Sequence, residues 1–342
     1  MKISYIPPFL YKLKRHSDSA LFVALGLLAF YLAAHYSKDW EGNKFWYYIN
    51  KQTTWGYLQQ GFSPFNEQLY KFISKNIGAL IGFNGFVLTA TITLLFIKLR
   101  FLGAIVGGFF VGTFFYVCLY LLLFEGTIIR AGFATALIFP ALYFLKTQRY
   151  AYAFLLVILS SQIHLSALVF LAVFPLYFFR RLNWLIYILF LLSPIFIILD
   201  ISLLDVFKQS IGVLNPRYLQ YFEIKSTGQN SSGLFFYFIA FFSIILAMIY
   251  RFIGNKIESD RFSAALFSFC LLGVISMCVF HGRVAVGARL GEMFLLPIVI
   301  LLSWLYTYFA ERKMYFHQVI LCSLFSIYFV ARFLYLFPTF FA

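Results

Sequence analysis

The feature that most constrains the fold of this chain is a succession of long apolar segments separated by short polar connections. About 20 helical residues cross the hydrocarbon core of a bilayer, and most of the segments approach or exceed that length. The alternating pattern of a membrane β-barrel is absent from the sequence, so the segments are predicted to be helices. A soluble protein needs roughly a quarter of its residues charged, whereas this chain has 11% charged and 63% hydrophobic residues. The predicted fold class is therefore all-α: a polytopic integral membrane protein, with 1–342 as a single transmembrane domain.

About eleven spans are predicted, some of them short or broken. Nine lie near 20–36, 77–97, 101–124, 131–145, 183–199, 233–250, 262–280, 290–309 and 315–336. The stretch 150–179 is too long for one span and short for two, and basic residues flank both of its ends. We expect it to enter and return as two short helices, with its turn near His164. Prolines inside the spans, at Pro140, Pro175, Pro194 and Pro297, are expected to kink them.

Charge sets the predicted orientation. The basic segment Lys12–His16 precedes the first span and predicts a cytoplasmic N-terminus. With Lys98 in a cytoplasmic turn and Glu125 in an external one, the inside holds 15 basic and 4 acidic residues, and the outside holds the remaining 12 and 8. This asymmetry follows the positive-inside rule, so the net charge of +15 does not indicate nucleic acid. The larger polar loops, about 37–76 and 200–232, then face the periplasm.

Four external arginines are the strongest functional signal: Arg130, Arg217, Arg283 and Arg289. Arginine binds phosphate oxygens through a planar fork, which lysine lacks. Four such residues at one membrane surface could hold a lipid pyrophosphate. The alternative is that each reaches towards lipid headgroups, or that Arg130 pairs with Glu125. We favour function for the four together.

His164 lies at the centre of the interrupted stretch 150–179. Broken helices at membrane depth are tolerated where they face protein or a water-filled cavity. Imidazole exchanges a proton near neutral pH and suits a general base. The alternative is that His164 only caps a helix turn, assisted by Ser160, Ser161 and Ser166.

The remaining candidate residues give a weaker signal. Asp39 and Glu41 could ligate a divalent ion, but a solvated loop explains them better, and no metal or other cofactor is predicted. All four cysteines lie inside apolar segments without disulfide or metal spacing and are expected to be packing residues. They are Cys118, Cys270, Cys278 and Cys322.

Across residues 39–300 the sequence resembles the EpsG-like branch of the Wzy-type polymerases of bacterial surface polysaccharides. The main match is EGTIIRAGFATALIFPALYFLKTQRYAYAFLLVILSSQIHLSALVFL, residues 125–171: an arginine that opens a helix, a basic turn, and His-x-Ser-Ala near the next break. Weaker matches are DWEGNKFWYY with the later Glu67, NPRYLQYF around Arg217, and RVAVGARLGEMFLLPI around Arg289. The family often has proline after the first-loop glutamate, where this chain has Gln68.

The resemblance implies joining of undecaprenyl-pyrophosphate-linked oligosaccharide units at the periplasmic face, within a fold that could be GT-C-like. The growing glycan would leave its lipid pyrophosphate for a sugar hydroxyl of the incoming unit. The implied catalytic residues are His164, Glu67, Arg130 and Arg289, and the implied substrate-binding residues are Arg217, Arg283, Tyr218, Asp39 and Glu41. Membrane lipid and a chain-length regulator protein are the further expected partners.

Two other functions remain open at this stage. A flippase for the same lipid-linked substrate usually shows repeated halves with polar residues at mid-membrane. This sequence shows no internal repeat. A polysaccharide ligase would use similar residues, and only its products would distinguish it from a polymerase.

Overall fold

A computed structural model of the chain describes residues 8–36, 40–41, 44, 68–200 and 229–337. The described part contains helices and no strand, so the all-α prediction is confirmed. In chain order the α-helices are α1 (Pro8–Tyr36), α2 (Gln68–Val106), α3 (Phe109–Tyr116), α4 (Ile129–Lys146), α5 (Tyr150–Ser161), α6 (Val173–Phe178), α7 (Arg180–Leu192), α8 (Pro194–Ile198), α9 (Gln229–Ser259), α10 (Arg261–Val279), α11 (Val284–Leu295), α12 (Ile298–Glu311) and α13 (Tyr315–Leu336). A π-helix (Val117–Glu125) continues α3, and 3-10 helices occupy Leu165–Ala172 and His281–Arg283.

Each predicted apolar segment is largely helical in the structure, although the segment predicted at 101–124 begins inside α2. Within the described ranges, six helices are long and apolar enough to cross a membrane, or seven if the bent pair α11 and α12 forms one span. Four shorter apolar helices account for the other segments. The protein is therefore a polytopic membrane protein, while the count of eleven crossings stays a prediction.

Helix α2 differs from the predicted spans at both ends. It begins at Gln68, inside the predicted loop 37–76, and bends at Gly82, where φ is 72°. It then continues through Lys98 and Arg100 and ends where Gly107 takes φ of 83°. Glycine adopts this left-handed conformation at little cost and commonly ends helices. The turn predicted at Lys98–Arg100 is thus wrong, and the chain turns at Gly107 instead.

The interrupted stretch 150–179 forms the predicted hairpin. Helix α5 ends at Ser161, and the 3-10 helix begins at Leu165, so the break falls at residues 162–164. Beyond the break the chain returns: the Tyr150 and Tyr177 hydroxyl oxygens are 3.5 Å apart. The prediction of two short helices with their turn near His164 is confirmed.

The chain divides into two compact units, and the prediction of a single transmembrane domain stays untested. The first unit comprises residues 1–144, 158–165 and 323–342. In it, α1 packs on α2 and on the π-helix. The rings of Phe22 and Phe96 meet edge to face with centroids 4.9 Å apart. Leu32, Leu122 and Phe337 form a further buried cluster.

The second unit comprises residues 145–157 and 166–322 and is built around α10. Sixteen of the 19 residues of α10 are buried, and the helix contacts α6, α7, α9, α11 and α12. The Asp260 carboxylate caps its start by accepting a hydrogen bond from the Ser263 N–H at 3.0 Å. Helices α11 and α12 meet at a bend of 45° beside Pro297, as the proline predicted.

Candidate functional site

Three segments of the first unit meet at Tyr70, which is buried near the start of α2. The Tyr70 N–H donates a hydrogen bond to the Gln162 carbonyl oxygen, within the break that contains His164, at 3.2 Å. The Arg130 guanidinium carbon lies 5.9 Å from the centre of the Tyr70 ring. This distance allows a cation–π contact. Tyr70 therefore connects two predicted catalytic positions, Arg130 at the start of α4 and the break that carries His164.

A second contact fastens the break to α4. The Ser160 hydroxyl donates to the Ala134 carbonyl oxygen at 2.8 Å, and the His164 N–H donates to the Ser160 carbonyl oxygen at 3.0 Å. Ala134 lies one helical turn beyond Arg130 and on the same face of α4. The break is therefore held against the helix surface that carries Arg130.

The surroundings of this site are partly apolar. The Phe86 and Phe133 rings pack edge to face with centroids 5.9 Å apart, and both adjoin the Tyr70 ring. Arg130 and His164 are half-buried, whereas Ser160 and Gln162 are buried completely or nearly so. A charge in such surroundings interacts more strongly with a partner than it would in water. The site thus combines a cation with a titratable imidazole beside a polar helix break.

Glu125, the sequence partner suggested for Arg130, has two other partners in the interior of the first unit. Its carboxylate pairs with the Lys98 ammonium and accepts hydrogen bonds from the Tyr116 hydroxyl at 2.9 and 3.0 Å. All three side chains are buried. The assignment of Lys98 and Glu125 to opposite membrane surfaces is therefore wrong, because their side chains are in contact.

The second unit contains Arg289 and Arg283. Arg289 lies on an exposed part of α11, while Glu292, three residues further on, is buried. On another side of α11, Gly291 packs so closely against α10 that an added Cβ would lie 2.2 Å from the Met277 methyl carbon. Close packing on α10 therefore fixes the helix that carries Arg289.

His281 ties together two chain segments of this unit. Its Nε2 is 3.0 Å from an Asp200 carboxylate oxygen, and its Nδ1 is 2.9 Å from the Cys278 carbonyl oxygen. His281 also begins the 3-10 helix that ends at Arg283. The contact joins the end of α10 to Asp200, the last described residue before 201–228.

The sequence matches the model of the EpsG family over residues 18–341. The chain belongs to the EpsG family. This is a family of Wzy-like, polymerase-type membrane proteins, so the resemblance found in the sequence is confirmed. The EpsG-family protein has no match among curated proteins or solved structures. Membership suggests a Wzy-like polymerase or a related membrane protein that processes glycans.

Several predicted site residues of the EpsG-family protein lie outside the described residues. They are Asp39, Glu67, Arg217 and Tyr218, together with the side chain of Arg283. Glu41 is described: its carboxylate is exposed and lies 3.8 Å from the Lys44 ammonium. An exposed pair of this kind fits the solvated loop that the sequence favoured.

The cysteines of the EpsG-family protein lie where packing residues are expected. Cys118, Cys270 and Cys278 are buried, and Cys322 is half-buried. Within the described ranges, no three His, Cys, Asp or Glu side chains are grouped closely enough to hold a metal ion.

Sequence reasoning missed Tyr70, Lys98 and Tyr116 in the EpsG-family protein. The signal for Lys98 was its position within a long apolar run, since an ionisable residue inside a span usually faces the protein interior and has a partner. Tyr70 gave no comparable signal, because its contact with Gln162 joins residues far apart in the sequence.

Proposed function

We propose that this EpsG-family protein polymerises undecaprenyl-pyrophosphate-linked oligosaccharide repeat units for O-antigen, capsule or exopolysaccharide. It acts at the periplasmic face of the bacterial inner membrane. The growing glycan passes from its lipid pyrophosphate to a sugar hydroxyl of the incoming lipid-linked unit. The observation that carries the proposal is the meeting of Arg130, Tyr70 and the His164 break in a member of this family.

Arg130 has the chemistry required at the leaving group. Pyrophosphate departs readily, so protonation of the leaving group contributes little, and stabilisation of the departing negative charge contributes most. The guanidinium fork can contact two phosphate oxygens at once. The buried Tyr70 ring lies beside the guanidinium, 5.9 Å from its carbon, and supports this half-buried cation through a cation–π contact. Arg130 is therefore the proposed electrophilic residue of the donor site.

His164 is the proposed general base. The bond that forms joins the acceptor hydroxyl oxygen to the anomeric carbon, and the bond that breaks joins that carbon to the pyrophosphate oxygen. The acceptor proton passes to the imidazole, and the leaving pyrophosphate keeps the bonding electron pair. Glu67 is the second candidate for the base, and it precedes Tyr70 by three residues in the sequence.

The remaining predicted residues complete the proposal. Arg289, in the second unit, is a further proposed residue that binds phosphate charge. Five more residues are proposed to contact substrate: Arg217, Tyr218, Arg283, Asp39 and Glu41. Membrane lipid surrounds the polyprenyl tails, and a chain-length regulator protein is the expected protein partner.

The test is product analysis with purified protein in nanodiscs, supplied with its lipid-linked repeat unit. Wild-type protein is expected to yield a ladder of products that differ by one repeat. His164→Ala, Arg130→Ala and Arg289→Ala should each weaken the ladder. Arg149→Ala is the matched control, because Arg149 is exposed in the turn between α4 and α5.

Two outcomes would contradict a polymerase. If well-folded wild-type protein leaves the substrate monomeric but moves labelled lipid across the bilayer of proteoliposomes, the protein is a flippase. Transfer of single glycans to an acceptor other than the lipid-linked unit would identify a ligase.

A further inference from the structure

Three polar side chains that the proposed reaction does not use meet in the interior of the first unit. Lys98 lies in the last third of α2, Tyr116 ends α3, and Glu125 ends the π-helix. The exposed fraction of the side chain is 1% for Lys98 and 4% for Glu125. Withdrawing two charges from water costs several kcal/mol per ion. A pair of apolar residues of the same volume would pack there without that cost, so stability alone does not explain the pair.

A short connection with several hydrogen bonds leads from Glu125 to Arg130. The Leu123 carbonyl oxygen accepts from the Thr127 N–H at 3.2 Å, from the Thr127 hydroxyl at 2.6 Å and from the Ile128 N–H at 2.8 Å. Helix α4 begins at the next residue, and Arg130 follows. The segment between Glu125 and Arg130 therefore has little freedom to move by itself.

Close backbone packing makes the connection rigid. A Cβ added to Gly126 would lie 2.5 Å from the Leu122 carbonyl oxygen, and one added to Gly132 would lie 2.4 Å from the Phe124 carbonyl oxygen. Only glycine allows these approaches. The end of the π-helix and the first turn of α4 therefore move as one body.

Tyr116 makes a further connection between the end of the π-helix and α4. The Tyr116 hydroxyl donates to the Glu125 carboxylate, and the Tyr116 ring packs edge to face on the Phe139 ring of α4 with centroids 5.9 Å apart. Lys98 approaches the same carboxylate from α2, the helix whose first turns contain Tyr70. The three polar residues thus link the two helices that supply Tyr70 and Arg130.

We propose that Lys98, Glu125 and Tyr116 are positioning residues that hold Arg130 where it meets the leaving pyrophosphate. The ion pair and the tyrosine fix the end of the π-helix against α2, and this sets the place at which α4 begins. Removing the pair lets the first turn of α4 shift, and Arg130 then stabilises the transition state less well. The inference rests on the proposed polymerase activity.

The double variant Lys98→Met/Glu125→Gln tests the proposal, because it removes both charges and leaves no lone ion buried. For correctly folded protein in nanodiscs, we expect kcat to fall about tenfold while KM for the lipid-linked donor changes less than about twofold, since the interaction lost is one made in the transition state. Combining the double variant with Arg130→Lys should add little to the loss that Arg130→Lys causes alone. Combining it with Arg289→Lys should multiply the two losses.

Hydrogen exchange of the same samples gives a readout that needs no turnover. Backbone amides of 126–132 should exchange faster in the double variant, and those of α12 should keep the wild-type rate. The amides of 126–132 could exchange faster in the double variant while the wild-type protein shows no polymerase activity. That result would support the positioning of this segment and refute the polymerase. An active wild-type protein with unchanged exchange, or with losses that multiply equally for Arg130→Lys and Arg289→Lys, would overturn the positioning.

Discussion

The first unit brings a lysine, a glutamate and a tyrosine together in its interior, whereas the second unit is built around a helix that has no charged side chain from Phe262 to Val279. Two charged groups of the second unit act at helix ends, since Asp260 caps α10 and Arg180 donates to the Glu258 carbonyl oxygen near the end of α9. Glu292 of α11 is a further carboxylate of this unit and is buried. Buried ion pairs are costly and directional, while apolar packing is tolerant of substitution. The comparison indicates that buried polar contacts fix helices in the interior of the first unit, whereas apolar packing holds the central helix of the second.

The largest effect is expected for Lys98→Met, which leaves the Glu125 carboxylate buried without its cation. Removing one partner of a buried pair costs about 3–5 kcal/mol of unfolding free energy. Thermal unfolding in detergent checks this loss. Arg100→Met is the control on the same helix, because Arg100 is exposed, and a change within roughly 0.5 kcal/mol is expected there. If the Lys98→Met and Arg100→Met variants were equally stable, the buried ion pair would not distinguish the interior of the first unit from that of the second.

Gly132→Ala should have the next largest effect. The new Cβ would lie 2.4 Å from the Phe124 carbonyl oxygen, so the backbone must shift, at a cost of about 1–3 kcal/mol. Gly254→Ala in α9 is the matched control, since its Cβ would have no neighbour closer than 3.8 Å. Denaturant unfolding of both variants measures the two changes in unfolding free energy. A Gly132→Ala protein as stable as Gly254→Ala would show that the junction of the π-helix and α4 is not close-packed.

A smaller effect is expected at the cap of the central helix of the second unit. Asp260→Ala removes the acceptor for the Ser263 N–H and should lower the unfolding free energy by about 1 kcal/mol. Asp260→Ser keeps a side-chain oxygen at this position and should recover most of the loss. Polymerisation per folded molecule should stay at the wild-type level in both variants. If Asp260→Ala lowered turnover per folded molecule, the contact between Asp260 and Ser263 would not be purely structural.

The smallest energetic effect concerns Tyr70. Tyr70→Leu removes the ring beside Arg130, and a cation–π contact to a partly exposed cation contributes about 0.5–1 kcal/mol. Turnover should fall several-fold, while Tyr70→Phe keeps the ring and most of the activity. Initial rates of repeat-unit addition measure the difference. If the leucine and phenylalanine variants were equally active, Tyr70 would have no role in placing Arg130.

Apolar patterning was sufficient to predict the helical fold, the break near His164 and the bend at Pro297, because each depends on local sequence. The charge rule failed at Lys98, since it treats every basic residue as a surface residue, and nothing in the local sequence indicates the contact with Glu125. The turn at Gly107 was missed for the same reason, because the boundary between two predicted spans was placed at the nearby basic residues Lys98 and Arg100. Of the site, Arg130 and His164 were predicted from residue type and position. Tyr70 was not, because its contacts join distant parts of the chain.

The most direct test of the central claim is the rate of repeat-unit addition by Arg130→Lys beside Arg149→Lys, both measured per folded molecule. Lysine keeps the charge but loses the two-pronged contact with phosphate. Loss of one preorganised donor of this type costs about 10²–10³ in kcat, so the Arg130 variant should lose its product ladder while the Arg149 variant keeps it. Equal ladders from both variants would contradict a catalytic site at Arg130.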